Sequence, residues 1–275
     1  MTIIDTHLHL VYKDRLAYPW LDGAAAINRP WTAEAYFAEA EKLGIEAALH
    51  MEVDVAEEDM EGETRFMTQV HPKVIGAIAA GRPETEGFPE WLEVLGSIGG
   101  VKGVRRILHV PPNELSQTPL FAANIRRLQA YDLAFDLCLR ADQLIDVGKP
   151  LVTHCPHVQF VLDHCGVPNI TGGDFGAWQA GISELSKLPN LACKVSGIIA
   201  YAGENPTADV LRPYVEHVIT SFGWERVVWG SDHPVCTLTA DLTKWVGITN
   251  EIIAGASESE KARLLRDNAR RIYRL

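Results

Sequence analysis

The sequence predicts a single (β/α)8 (TIM) barrel domain covering residues 1–275. Short apolar runs alternate with helical patterns eight times, and runs such as 74–80 are continuously apolar, which is typical of parallel strands buried on both faces. The length of 275 residues, 47% of them hydrophobic, suits such a barrel. No linker or change of composition divides the chain. A doubly wound open sheet, which has the same alternation, is the alternative.

The individual elements follow from the same patterns. The predicted strands are 3–9, 47–53, 74–80, 101–107, 134–139, 159–163, 191–194 and 226–230. The predicted helices are 33–43, 57–70, 88–95, 119–131, 141–152, 175–187, 208–222, 241–253 and 258–273. Thr32 is placed to cap the first helix and Gly44 to end it. The long loop between the first strand and this helix contains Tyr18, Trp20 and Trp31, and such loops often carry function.

Charge and cysteine content restrict the class of partner. The net charge is -11 and no basic run is present, so nucleic acid and anionic membranes are disfavoured and a small molecule is expected. Neither a signal-like start nor an apolar run long enough to cross a membrane is found. The five scattered cysteines are odd in number, which favours free thiols and a cytoplasmic location. The oligomeric state stays open, with a homo-oligomer as one option.

The first predicted strand carries the motif Asp5-Thr-His7-Leu-His9. Side chains alternate along a strand, so Asp5, His7 and His9 are expected on one face. Two imidazoles at one strand end can share a metal ion or a substrate. A buried strand whose histidines bond to backbone groups is an equally good interpretation, because two ligands do not make a site.

Further polar residues occur at other predicted strand ends, where a (β/α)8 barrel carries its chemistry. They are His50, Glu52, Asp54, Arg105, Arg106, Asp163, His164, Lys194, Ser196, Ser231, Asp232 and His233. Arg105 and Arg106 must face opposite sides, and we favour Arg105 for the barrel interior. Lys194 could instead be solvated or paired with a carboxylate. The cluster His154-Cys-Pro-His157 precedes a strand, which predicts a surface turn at the opposite rim.

Asp232 and His164 are the strongest functional candidates. Asp232 follows the apolar run 227–230, where a carboxylate is unfavourable unless it is hydrogen-bonded, bound to metal or catalytic. His164 follows the apolar run 160–162 in the same way.

Four segments together resemble the amidohydrolase superfamily, specifically its amidohydrolase-2 branch of sugar-lactone hydrolases of the L-fuconolactonase and L-rhamnonolactonase type. In chain order they are DTHLH at 5–9, VLDHCGVP at 161–168, KVSG at 194–197 and WGSDHPV at 229–235. The resemblance implies a (β/α)8 barrel, hydrolysis of a lactone, and an aspartate after the eighth strand, here Asp232, that acts on water.

The resemblance also bears on metal binding. Other amidohydrolases hold one or two metal ions with an H-x-H pair, a carboxylated lysine or a glutamate, two later histidines and the strand-eight aspartate. Here the fifth predicted strand, Phe135-Asp-Leu-Cys-Leu139, ends without a histidine, so a two-metal site is not expected. His7 and His9, with Glu52 or Asp232 as oxygen ligand, could hold one divalent ion (Zn²⁺ or Mn²⁺). Metal-independent chemistry remains the alternative.

Lactone hydrolysis needs an activated water and groups that stabilise the developing oxyanion. We expect Asp232 to be the general base and His164, Arg105 or Lys194 to stabilise the oxyanion. Asp232 and His164 are thus the expected catalytic residues, and Arg105 and Lys194 are expected to bind the substrate. Trp20, with Tyr18 and Trp31, could cover a sugar face. The expected substrate is an aldonolactone such as L-fucono- or L-rhamnonolactone, or a muconolactone-type ring. The alternatives are a metal-dependent decarboxylase of an aromatic or unsaturated acid, and a non-catalytic sugar-acid-binding protein.

Overall fold

The computed structural model describes residues 2–275 and confirms the predicted (β/α)8 barrel. Its strands are β1 Ile3–Leu8, β2 Ile45–Met51, β3 Val74–Ala80, β4 Val101–Ile107, β5 Ala134–Cys138, β6 Phe160–Leu162, β7 Leu191–Val195 and β8 Val227–Trp229. Each strand pairs in parallel with the next along the chain. A parallel bridge between Leu8 and His233 brings the segment after β8 beside β1, which closes the sheet into a barrel.

Helices follow the strands, mostly as predicted. They are α1 Ala33–Ala40, α2 Met60–Met67, α3 Phe88–Gly96, α4 Pro119–Arg127, α5 Lys149–His154, α6 Phe175–Leu185, α7 Ala208–Phe222, α8 Leu242–Ile252, α9 Glu258–Ala262 and α10 Asn268–Ile272. Thr32 Oγ1 accepts the Ala35 N–H at 3.3 Å, as expected of a cap. The predicted helix 141–152 is helical from its start, but its first part is not α-helical. A 3-10 turn at Ala141–Gln143 and a π-helical turn at Leu144–Gly148 precede α5, which has Pro150 in its first turn, where proline is well tolerated.

The barrel interior is apolar in the half that lies toward the amino ends of the strands. Its cluster contains one or two inward side chains of most strands, many of them small, such as Ala47, Ala134 and Ala192. Tyr273, immediately after α10, belongs to the same cluster and enters the barrel at the amino ends of the strands. A larger apolar cluster fills the space between strands and helices. The polar side chains of the interior therefore lie nearer the carboxyl ends of the strands than this apolar cluster does.

The first strand is less regular than alternation predicts. Its register against β2 shifts between Asp5 and Leu8. The Asp5 carboxylate accepts hydrogen bonds from Tyr36 of α1 at 2.5 Å and from the Ser231 N–H at 2.8 Å, whereas His7 reaches Lys194 in the interior. The expectation that Asp5 shares a face with the histidines is wrong, because the irregularity separates them.

The cysteines and the turn before β6 are arranged as the sequence predicts. All five cysteines are buried free thiols. His154 and His157 flank an exposed turn before β6, at the opposite end of the barrel from the strand termini. Among residues 2–275, no helix combines the length and the apolar character needed to cross a bilayer.

Candidate active site

A cavity of about 420 Å³ lies at the carboxyl ends of the strands. His9, Arg105, His164 and Asp232 line it, and each comes from the end of a different strand. The structure thus brings together four of the residues that the sequence indicates.

The imidazoles of His7 and His9 converge on one carboxylate oxygen of Asp232. His7 Nε2 lies 3.7 Å and His9 Nε2 3.5 Å from Asp232 Oδ1. Asp232 is 2% exposed and its Oδ2 has no hydrogen-bond partner among the described residues. These separations are too long for hydrogen bonds but suit three donors that share one ion.

Burial keeps the two imidazoles neutral. Burial, with the nearby charge of Arg105, lowers the pKa of His9 to about 3, and burial also lowers the pKa of His7. His9 Nδ1 lies 3.0 Å from the Met51 carbonyl, which assigns the proton to Nδ1 and leaves the Nε2 lone pair directed at the cluster. Two neutral imidazoles and a carboxylate are a donor set that fits a divalent ion.

Asp232 and His164 both occupy backbone conformations that L-residues seldom adopt. Their φ angles are 55° and 54°, and residues 164–167 are all left-handed. A Cβ at Gly197 would lie 2.4 Å from His164 Nδ1 and 2.7 Å from Asp232 Oδ2, so only glycine fits there. His164 Nδ1 is 3.0 Å from Ser196 Oγ, which orients its ring. Such backbone strain is typical of functional sites.

The structure does not bring Glu52 into the cluster of His7, His9 and Asp232. Its Oε1 accepts from Arg105 Nε at 2.6 Å and its Oε2 accepts from the Asp54 N–H at 2.8 Å. Burial would raise the pKa of Glu52, but Arg105 and the Asp54 N–H lower it below its ordinary value. Glu52 therefore positions Arg105. The preference for Arg105 over Arg106 agrees with the geometry, because Arg106 pairs with Glu84 outside the pocket.

Lys194 also lies elsewhere than predicted. Its ammonium is fully buried below the pocket floor, 2.8 Å from Asp136 Oδ2, 2.9 Å from Asp163 Oδ1 and 3.3 Å from His7 Nδ1. Tyr273 donates to both oxygens of Asp136, at 2.8 and 3.0 Å. The two carboxylates hold the pKa of Lys194 above its ordinary value although burial opposes this. Lys194 contacts His7 on the side away from the pocket, and it does not line the pocket.

Of the three loop aromatics, Trp20 alone lines the pocket. It is 38% exposed, and its indole N–H donates to the Val53 carbonyl at 2.7 Å. Tyr18 is buried and accepts the Tyr12 N–H. Trp31 packs edge-on against His233.

Sequence reasoning missed several residues of this region. Asp136 carried a signal, because a carboxylate within the apolar strand Phe135–Leu137 must find a buried partner. His109, Arg140 and Tyr201 lie in loops, where no periodicity marks the residues that face a pocket.

A parallel barrel that gathers two histidines of β1 and an aspartate following β8 in one pocket belongs to the class of barrel enzymes that act at their strand ends. Residues 4–275 match a family model described as Amidohydrolase. The chain belongs to the amidohydrolase family, and this membership supports a hydrolase.

The chain is similar to several known proteins over most of its length. It is 28% identical to the uncharacterized protein y4mH of Sinorhizobium fredii, covering 100% of this chain and 99% of that one. It is 27% identical to an L-fucono-1,5-lactonase of Burkholderia multivorans, covering 99% and 96%. A solved amidohydrolase of Burkholderia multivorans with bound zinc superposes with a TM-score of 0.91 at 23% identity, covering 100% of each chain, and shows the same fold.

Proposed function

We propose that the protein hydrolyses the lactone of a sugar acid, such as L-fucono- or L-rhamnonolactone, to the open hydroxy acid. The observation that carries this proposal is the Asp232 carboxylate, which lines the pocket among three histidines. The lactonase names of similar proteins support the substrate class.

Asp232 has the properties of a general base. Burial raises its pKa to about 6, so it is a better proton acceptor than an ordinary carboxylate and is still ionised at neutral pH. Burial also lowers the pKa of His164, whose ring nitrogen Nδ1 lies 3.9 Å from Asp232 Oδ2. A water in the pocket near Oδ2 would lose its proton to Asp232 as it attacks the lactone carbonyl.

Arg105 is the best placed group to stabilise the oxyanion. Its Nε and Nη2 are held by Glu52, while Nη1 points toward the cluster, 3.4 Å from His7 Nε2. A guanidinium that is fixed before reaction loses little free energy in orienting toward the developing charge. His164 can supply a further hydrogen-bond donor through its ring.

The charges of the pocket favour a neutral ligand. Arg105 pairs with Glu52, and Arg140 pairs with Asp142 at 3.0 Å. Each arginine that lines the pocket is therefore already neutralised by a carboxylate. A sugar lactone carries no charge when it binds, whereas the carboxylate of an aromatic acid would have to share an arginine that already pairs with a carboxylate.

A divalent ion, if bound, would be held by His7, His9 and Asp232. Such an ion would supply Lewis acidity and lower the pKa of a water in the pocket. Zinc suits two imidazoles and one carboxylate, and the similar structure from Burkholderia multivorans contains zinc.

Metal binding can be tested without measuring activity. We expect Zn²⁺ to bind metal-free protein in a calorimetric titration, and His9→Ala to weaken that binding at least about tenfold, because one of three donors is lost. His109→Ala is the matched control, since His109 lines the same pocket outside the donor set. Equal zinc affinity in the two variants would contradict the assigned donors.

The reaction class is tested with a substrate panel. Purified protein is offered aldonolactones, with acid release followed by a pH indicator, and aromatic acids, with release of CO₂ measured. We expect acid release from at least one aldonolactone and no CO₂. Release of CO₂ without lactone turnover would favour the decarboxylase, and tight binding of a sugar acid without either reaction would favour the binding protein.

A further inference from the structure

A second, larger cavity adjoins the catalytic pocket at the same rim of the barrel. It has a volume of about 720 Å³ and lies between the loops that follow β5, β6 and β7. Arg140, Val167 and Tyr201 line both cavities, so the two spaces are adjacent. We call this second cavity the side groove. A ligand whose reactive ring lies near Asp232 can extend into it.

The lining of the side groove combines an aromatic surface with hydrogen-bonding groups. Tyr201 lies between the cavities and is 36% exposed. Asp142, Asn169 and Asp174 supply carboxylate and amide oxygens. Aromatic rings pack against the C–H face of a sugar, while planar polar groups bond to its hydroxyls.

These polar groups are held in place before any ligand binds. Arg140 Nε pairs with Asp142 Oδ1 at 3.0 Å, which also removes free positive charge from the side groove. Asn169 Oδ1 accepts the Gly172 N–H at 3.0 Å. At the floor, the Trp178 indole donates to the Cys165 carbonyl at 2.8 Å, which ties the side groove to the loop that carries His164. A preformed, amphipathic site that offers carboxylates and no free positive charge matches a glycosyl unit better than an anion.

We propose that the side groove binds a second sugar residue, so that the preferred substrate is the lactone of a disaccharide-derived aldonic acid. This inference rests on the proposed lactonase function and specifies its substrate. The reacting ring occupies the pocket of Asp232, and the attached glycosyl unit packs against Tyr201 within reach of Asp142 and Asn169.

The test compares one lactone with its own glycosylated derivatives. The monosaccharide lactone hydrolysed fastest in the panel is assayed beside derivatives glycosylated at each hydroxyl in turn. We expect at least one derivative to show a kcat/KM at least about tenfold higher, since added contacts improve binding of the transition state. The same lactone with an alkyl chain in place of the sugar serves as the comparison.

Two tryptophan variants on α6 locate the effect. Ala177 lines the side groove, and Ala180 is exposed on the same helix outside both cavities. Ala177→Trp is expected to fill the side groove and abolish the advantage of the glycosylated lactone, with the monosaccharide lactone unaffected. Ala180→Trp should change neither rate.

Several outcomes would overturn the inference. The first is an equal kcat/KM for the lactone with and without the added sugar. The second is a larger increase in kcat/KM from the alkyl chain than from the sugar. The third is an equal loss of the glycosylated lactone's advantage in Ala177→Trp and Ala180→Trp. Should no lactone be hydrolysed, the proposed function fails, but the side groove is still testable by calorimetry. Aldobionic acids must then bind more tightly than the matching aldonic acids, and Ala177→Trp must remove that difference; otherwise the second sugar site is excluded.

Discussion

Replacing Asp232 by asparagine is expected to reduce kcat for lactone hydrolysis by about 10³-fold, the usual size of a lost general base. The side-chain amide introduced by this change cannot accept a proton at neutral pH. The left-handed backbone at this position, φ 55°, suits asparagine, so the fold should survive the change. Steady-state kinetics and the midpoint of thermal unfolding measure the two effects separately.

Asp54→Asn is the matched control for this experiment. Asp54 also lines the pocket and has a positive φ of 46°, but it lies at the rim, 3.5 Å from Arg82. The same chemical change at this position should leave kcat within a few-fold of its original value, about 1 kcal/mol or less in activation free energy. Similar losses in both variants, or a normal rate in Asp232→Asn, would contradict the role of Asp232.

Replacing Lys194 by methionine is expected to lower the free energy of unfolding by about 3–5 kcal/mol, because it leaves Asp136 and Asp163 buried without their cation. The unpaired carboxylates would have raised folded-state pKa values, so the folded variant would bind more protons than its unfolded chain. Its stability should therefore increase relative to wild type as the pH falls from about 8 to about 5. Urea denaturation at both pH values measures this change.

Two further variants control the Lys194 experiment. Lys187 is an exposed lysine paired with Glu184, and Lys187→Met should change stability by about 0.5 kcal/mol or less. Asp136→Asn should be milder than Lys194→Met, because it leaves one carboxylate for one ammonium and retains an acceptor for Tyr273. A pH-independent loss in Lys194→Met would show that the buried charges are not its cause.

The sequence was most informative about elements with a regular apolar pattern and about the polar residues at the ends of barrel strands. The strand 74–80 and the helix 208–222 have the bounds predicted, because continuous or periodic apolar patterns record burial directly. Asp232, His164 and Arg105 were identified for the same reason, since polar residues at the carboxyl ends of barrel strands converge at one rim.

The sequence could not predict which charged residues pair with one another. Glu52 was expected at a metal but holds Arg105, and Lys194 was expected at the substrate but lies beneath His7. Both errors have one physical cause. The alternation of side chains shows which face of a strand a residue lies on. It does not show how far along the barrel axis the side chain lies, or which of several carboxylates it contacts.

The sequence by itself determined the parallel barrel, the rim that carries the chemistry and the family, because periodicity and ordered motifs are properties of the chain. The tertiary structure alone decided that His7, His9 and Asp232 share one point, that Asp5 turns away from them, and that a side groove opens beside the pocket. These features depend on irregular register, left-handed backbone and loop positions. Such properties arise from contacts between residues far apart in sequence, as between His7 and Asp232.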